Sequence, residues 1–530
     1  MVMNDNGTNE TAKDATPSTR TPSARTSSAR TTRTPSIRKT ALVGEQAYKD
    51  GHLTRPALVS LVILTFITFV GNFTQLQLTS ALPTIVSEFH ITVTTGQWLT
   101  SVFQLVMGVM VPLTAFLTKR FSTRQIVIVS MGAFTVGSVL GWLAPSFPLV
   151  LLGRIVEAAG TGVMWPLLQI VVFSIFPVTK RGVAMGTVGL AMSIAPAVGP
   201  TLGGWQTDTN GWRSIFLSLT VIGAVCVVAA SLWMHDFGEH DETVRTDFVS
   251  VALSVFGFGG LLFGFTNIES YPITHPMCWV PMGVGVVGII WFVMRQLRRE
   301  DPLLDLRVLK NRSFTFGTAI ASLAFFAFSS IFVVIPLFIQ NDRGYSATMS
   351  GLIMLPGAIG MAFSQLFGGR ALDRFGARPI VISGGLILLI GTLGMSMISM
   401  TSPMWWVSVC QLVRQIGMGF VLMPVTTWSL NCLAAKDVSA GSAVTNTMRQ
   451  IAGAVGSPVL VIAMESFAHM WARHGMNAVE ASVWGIKCSL WASTAITFAM
   501  VVCIFVGVRG EGAGSGQGMS LRALRRLRRR

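Results

Sequence analysis

Charge is what this sequence has least of. Only 12% of its 530 residues are charged, against about 25% in soluble domains. So few charges cannot clothe a soluble surface, and dividing the length into soluble domains is the wrong reading. Acids are scarcer than bases, 23 Asp and Glu against 39 Lys and Arg. The net charge of +16 does not mark a nucleic-acid surface, because the excess sits in the two tails and in alternate loops. The six cysteines, Cys226, Cys278, Cys410, Cys432, Cys488 and Cys503, are scattered, and no pair has metal-ligand spacing. No phosphate loop of the Gly-x-x-x-x-Gly-Lys type occurs, which argues against ATP chemistry. No Ser/His/Asp constellation or pair of catalytic carboxylates stands out. His235 and His240 lie in an acidic, solvated loop. The chain therefore reads as no enzyme, with no metal and no cofactor. Strand-like alternation over about ten residues is absent, which excludes a membrane barrel.

What is present is apolar and comes in long runs. Hydrophobic residues make up 51% of the chain, in stretches such as Leu58–Val70, Ile126–Leu143 and Leu490–Val508. A bilayer core takes about 20 apolar residues per helix, and a spanning segment must satisfy its own backbone. The sequence predicts an all-α membrane protein of about fourteen spans. Their centres fall near Ile67, Val106, Phe134, Thr161, Ser193, Val221, Gly257, Val286, Phe325, Gly360, Leu388, Gly417, Val455 and Ala495. Lys and Arg crowd every second loop, from Lys119, Arg120 and Arg124 to Arg370, Arg374 and Arg378. By the positive-inside rule those loops and both termini are cytoplasmic, on a multi-pass plasma-membrane protein.

Residues 1–55, rich in Ser, Thr, Pro and Arg, read as a disordered cytoplasmic tail and not a signal peptide. Residues 509–530 read as a basic cytoplasmic tail that meets anionic lipid or simply holds that end inside. Between them an internal repeat sets the organisation. The loop after the second span carries Arg120-Phe121-x-x-Arg124-x-Ile126-Val127-Ile128. The loop after the tenth carries Arg374-Phe375-x-x-Arg378-x-Ile380-Val381-Ile382. Two copies in the same orientation imply a parallel repeat. The expected parts are a six-helix bundle at 56–236, two inserted helices at 237–300, and a second six-helix bundle at 301–508, the bundles related by a pseudo-two-fold axis.

A few polar groups within the spans stand out because charge in lipid is expensive, about 2.5–3.5 kcal/mol at the bilayer centre. Arg154 and Glu157 share one helical face at i, i+3. Glu157 is the proton-coupling candidate, and a static Arg–Glu pair is the alternative. Glu465 is the second carboxylate, near the outer end of its span. Arg414 and Arg449 are further bases within or beside spans. Gly199, Gly203 and Gly204 with Pro196 and Pro200 suit a closely packed, bent helix at a moving interface. Gln75, Gln77, Gln104, Trp165, Gln169 and Asn446 are candidate cavity-lining groups. With 33 Phe and 27 Met, the spans suit a lipophilic small-molecule partner.

Several motifs then converge. Gly369-x-x-x-Asp373-Arg374-x-Gly376-x-Arg378, Leu152-Gly153-Arg154 with Gly160 and Gly162, and Ala195–Gly204 occur in order. So do Trp212–Phe216, Pro302–Leu306 and Arg449–Gly453. Together they resemble the major facilitator superfamily, in particular its fourteen-span drug:proton antiporter branch. The resemblance implies two six-helix bundles around a central cavity, alternating access, and export of drugs or metabolites in exchange for protons. It implies a monomer bathed in membrane lipid. It also implies gating by the loops of Asp373, Arg374 and Arg378 and of Arg120 and Arg124. The chain departs from the pattern twice: Thr74 stands where the first-span acid is usual, and Lys119 where the first loop usually has Asp. A uniporter or importer of a small solute, and a membrane-embedded lipid-modifying enzyme, stay open as alternatives.

Overall fold

The computed structural model describes residues 47–49, 52–237, 247–268, 271, 274–299, 302–345 and 347–508. These lie in one compact unit, Thr40–Arg530. The tail expectations fall almost wholly outside the described residues, as does most of the loop from His235 to Glu242.

A two-stranded hairpin, β1 (Tyr48–Lys49) and β2 (His52–Leu53), precedes the first helix and rests its Tyr48 ring on Phe176. The helices then run α1 (Arg55–Gln77), α2 (Leu82–Glu88), α3 (Val93–Arg120), α4 (Thr123–Trp142), α5 (Phe147–Thr161), α6 (Met164–Ile175), α7 (Arg181–Asn210) and α8 (Arg213–Trp233). Next come α9 (Phe248–Asn267), α10 (Pro276–Arg298), α11 (Arg312–Leu337), α12 (Ala347–Phe375), α13 (Ala377–Ser396), α14 (Met404–Asn431), α15 (Val438–Arg473) and α16 (Ala478–Gly507). A short turn joins α5 to α6 as a single span, and a wide π turn at Phe338–Asp342 extends α11. Thirteen spans among the described residues are long and apolar enough to cross a membrane. The helix α7, 30 residues long and thick with Gly and Thr, is not among them and takes the place of the remaining expected span. Every hydropathy centre predicted above lies inside one of these helices.

The ends are set by local chemistry. Ser122 and Gln125 close a reciprocal capping box at the start of α4. In the repeated loop the same break is made by Gly376, whose φ of 81° a side chain would resist. These two turns place Lys119, Arg120 and Arg124, and Asp373, Arg374 and Arg378, at one end of the bundle, here termed the basic end.

One bundle, α1–α8, packs an apolar core around Phe134, Leu167 and Phe216 that continues into α15 at Ala443 and Val444. The other, α11–α16, is built around Leu388, Met418, Trp428 and Ile504. Outward faces carry exposed Val129, Leu232, Ile390 and Phe498, which suits lipid and not water. The helices α9 and α10 pair tightly. Gly257, Gly260 and Gly264 lie directly against the backbone of residues 278–289, so any side chain there would meet main-chain atoms. This pair docks on α3 through Gly108 and Gly259.

The repeat is visible in the packing. Gly160 of α5 lies against Ser130 O and Phe134 N of α4, and Gly417 of α14 against Gly384 O and Leu388 N of α13. Gly137 abuts the backbone of Glu157, as Gly391 abuts that of Arg414. Counted from the repeated loops, the α4 and α13 partners match residue for residue, and the α5 and α14 partners match after a three-residue shift.

Candidate functional site

Glycine brings α4 and α5 together, and a charged pair is sealed between them. Arg154 and Glu157 are both fully buried. The Arg154 Nη1 donates to Glu157 Oε2 at 2.9 Å, and the Ser138 hydroxyl of α4 donates to Oε1 at 2.6 Å. The guanidinium reaches two other helices. Its Nε donates to Leu99 O of α3 at 3.2 Å, its Nη2 lies 3.5 Å from Thr74 O of α1, and it stacks 4.1 Å over the Phe103 ring. One carboxylate therefore holds the arginine that ties three helices. Losing the negative charge would leave that arginine without its counter-ion, and breaking a buried pair is costly.

Thr74 borders this cluster. Its backbone faces Arg154 and its buried hydroxyl meets no partner among the described residues. The one carboxylate at this point comes from α5. In the other bundle the equivalent position holds Arg414, fully buried, with one hydrogen bond to Ala327 O at 2.8 Å. Its Nε and Nη1 meet no acceptor among the described residues.

The two bundles meet at the basic end. Asp373, at the last turn of α12, accepts from the backbone N–H groups of Gly182 (2.9 Å) and Val183 (2.7 Å) at the start of α7. A carboxylate at a helix N-terminus satisfies orphan donors and the dipole, worth about 0.3–1 kcal/mol for the charge. Behind it Gly182, Gly186 and Gly369 let the two backbones touch, and a Cβ on Gly369 would sit 2.1 Å from Gly182 O. Arg374 and Arg378 point away from Asp373. Arg374 lies over Phe375, and both arginines are exposed. At the repeated junction of α3 with α15, Lys119 occupies the position of Asp373, and Thr118 and Ser439 hydroxyls join at 2.8 Å instead. Arg120 lies over Phe121, while Arg124 donates its guanidinium to Ser231 O and its backbone N–H to Asp236 Oδ1.

Further along, Gln169 of α6 accepts from Ser442 Oγ (2.7 Å) and Asn446 Nδ2 (2.6 Å) of α15. Arg449 is one turn on, with Nη1 3.4 Å from Asn446 Oδ1. Arg181 adds a link to Asn431 at 2.9 Å. The joining hydrogen bonds thus gather at the basic end. From Gly441 to Thr447 α15 is buried all round, and from Gln450 to Val455 it is half-exposed. Arg449 marks the level where the bundles part.

Of the cavity candidates, Gln169 and Asn446 sit in this junction. Trp165 is half-buried one turn from Gln169 on the same face. Gln104 is exposed on α3, about four turns from Thr118, which meets α15. Gln75 is half-buried on α1. Gln77 is turned to α7, where its Nε2 donates to Gln206 Oε1 at 2.6 Å. Gly199 and Gly203 pack α7 on α1 within one bundle, and Gly204 has only Ser80 nearby. The helix runs on through positions 196 and 200, while the side chains of Pro196 and Pro200 lie outside the described ones. Glu465 is exposed far along α15.

Sequence reasoning missed Ser138, Ser442 and Ser439, small hydroxyls with no signal of their own. Ser442 could have been found, since it stands at i−4 from Asn446. It also missed two ion pairs outside the spans. Glu88 binds Trp212 Nε1 (2.6 Å) and Arg213 (2.5 Å), and those hydrogen bonds hold its carboxyl below the usual range. Asp247 receives Arg295 at 3.0 Å and also binds Arg299 and Ser250. Burial pushes the Asp247 carboxyl up, and the bonds from Arg295, Ser250 and Arg299 more than reverse this, leaving it well below the usual range.

The sequence profile of the Major Facilitator Superfamily matches residues 61–457. The chain is 38% identical over 418 residues to the uncharacterized MFS-type transporter YcnB of Bacillus subtilis, covering 77% of this chain and 88% of that one. It is 34% identical over 476 residues to the lincomycin resistance protein LmrB of Bacillus subtilis, covering 89% and 98%. It is 26% identical over 421 residues to the multidrug export protein EmrB of Escherichia coli, covering 75% and 79%. Among solved structures, the human organic anion transporter MFSD10 (TETRAN) shares the fold with a TM-score of 0.63 at 13% identity, over 85% of this chain and 100% of that one. With two helical bundles around a junction that closes at one end, and relatives matched along most of its length, this chain belongs to the major facilitator superfamily.

Proposed function

We propose that this chain exports lipophilic small molecules across the plasma membrane in exchange for protons, acting as a monomeric carrier and not an enzyme. The basic end and both termini face the cytoplasm, so the state described is closed inside and open outside. The bundles at 56–236 and 301–508 are the moving bodies, with 237–300 riding between them. The observation that carries this reading is Glu157, the only fully buried carboxylate among the described residues, bound to the arginine that ties α1 and α3 to α5. It supplies from α5 the acid that the family's first-span signature supplies where Thr74 stands here. Protonation of Glu157 frees Arg154 to change partners, which couples proton occupancy to helix position. Asp373 on the N-terminus of α7 latches the inner end until the bundles rock. The names of LmrB and EmrB support drug export as the direction and cargo.

The test is accumulation of a fluorescent lipophilic compound in cells stripped of their own exporters. Expression should lower accumulation, and a protonophore should restore it. The absence of a carboxylate at Thr74 favours a second reading, uniport. Transport that ignores the proton gradient would support uniport instead, and unchanged accumulation across a broad panel would overturn export.

A further inference from the structure

We infer that the floor of the central cleft holds an anion-accepting subsite built on Arg449, so that the exported lipophiles carry a carboxylate or another anionic group. The inference deepens the export reading and rests on it for the word exported. It starts from unmet donors. Arg449 is 8% exposed and, among the described residues, its Nε meets no acceptor, nor does the Nε2 of the fully buried Gln169. Both side chains are bonded to Asn446, so the two free N–H groups stand on one connected frame. Buried donors without acceptors are expensive, and here both are donors, which suits an anion and opposes a cation.

The frame is built to hold the guanidinium plane. Arg449 lies 4.6 Å over the Phe325 ring of α11. Gly453, one turn on, gives that ring its space, since a Cβ there would sit 3.0 Å from Phe325 Cδ1. A guanidinium seated over a ring keeps its N–H fork for an acceptor, and that fork matches a carboxylate. Among the described residues no acid competes at this depth. Glu157 is sealed inside the first bundle with Arg154, and Glu465 lies about 24 Å further along α15. Trp165, half-buried one turn from Gln169, offers an aromatic wall to the apolar part of the ligand.

The experiment uses the full-length chain in lipid nanodiscs with no gradient, and reads equilibrium binding of three matched probes. These are 11-(dansylamino)undecanoic acid as its carboxylate, its primary amide, and a dansyl alkyl trimethylammonium of equal length. The carboxylate should bind best. Arg449→Gln should weaken it by about tenfold to a hundredfold, as expected for a charged hydrogen bond, and leave the amide unchanged. The retained amide binding shows that the variant is folded, and Arg449→Lys should recover part of the loss. Equal or tighter binding of the cation, no binding of any probe, or carboxylate affinity unmoved in Arg449→Gln would each overturn the assignment. Because binding is read without transport, failure of export appears only in the cell assay above.

Discussion

At the residue scale, the proposed proton coupling rests on one buried pair, Arg154 and Glu157. Glu157→Gln keeps the shape and an acceptor for Ser138 but cannot release a proton, and because Arg154 loses its counter-ion it should also melt lower than the unmodified chain. It should retain ligand binding and lose proton-driven accumulation of substrate against a gradient, while downhill exchange of labelled substrate persists. Arg154→Ala should behave differently. It strands a buried carboxylate, so it should cost about 3–5 kcal/mol and appear as loss of folded protein in thermal melts before any transport is read. The pair was legible in the sequence, because two charges at i, i+3 in an apolar run have few uses. Its other partners were not, because Leu99 O and Thr74 O are backbone atoms that no side-chain pattern announces. The polar junction was half legible: Gln169 and Asn446 stood out as amides in apolar spans. Their direct contact across the bundles was not, since it depends on where α6 meets α15.

At the element scale, the proposed cycle makes the junction of α7 with α12 the latch that sets which end is open. Asp373→Ala removes both acceptors at the α7 N-terminus, a change worth about 1 kcal/mol, and should shift the closed inner end toward open by about fivefold. Distances between spin labels on α7 and α12 at the basic end, measured by double electron–electron resonance, should broaden toward longer values. Gly369→Ala should do the same more strongly, because backbone meets backbone there. A distribution unchanged in both variants would dismiss the latch. The repeated loops were plain in the sequence. That only one has an acid at the latch position was plain too, with Lys119 opposite Asp373. What the acid holds was not, since a helix N-terminus has no sequence of its own.

At the scale of the whole molecule, the fold was legible almost throughout, because lipid allows few choices and apolar length with alternating basic loops names most of them. The inserted pair shows what pattern alone leaves open. Its length was evident, but the docking of α9 on α3 rests on close glycine contacts. Asp247, at the start of α9, fastens α9 to the C-terminal arginines of α10. Its carboxyl is held below the usual range, so its contribution to stability is complete above about pH 4 and is lost as pH falls further. Asp247→Asn should therefore lower the melting temperature at pH 7, with the gap to the unmodified protein closing in acid. A constant gap across pH would mean that the charge is not what matters. The central claim concerns protons and is tested most directly in inside-out vesicles with an acidic lumen and a lumenal pH dye. Adding a lipophilic substrate outside should drive protons out of the lumen with the unmodified chain and not with Glu157→Gln. Substrate-driven proton efflux that survives Glu157→Gln undiminished would contradict the account.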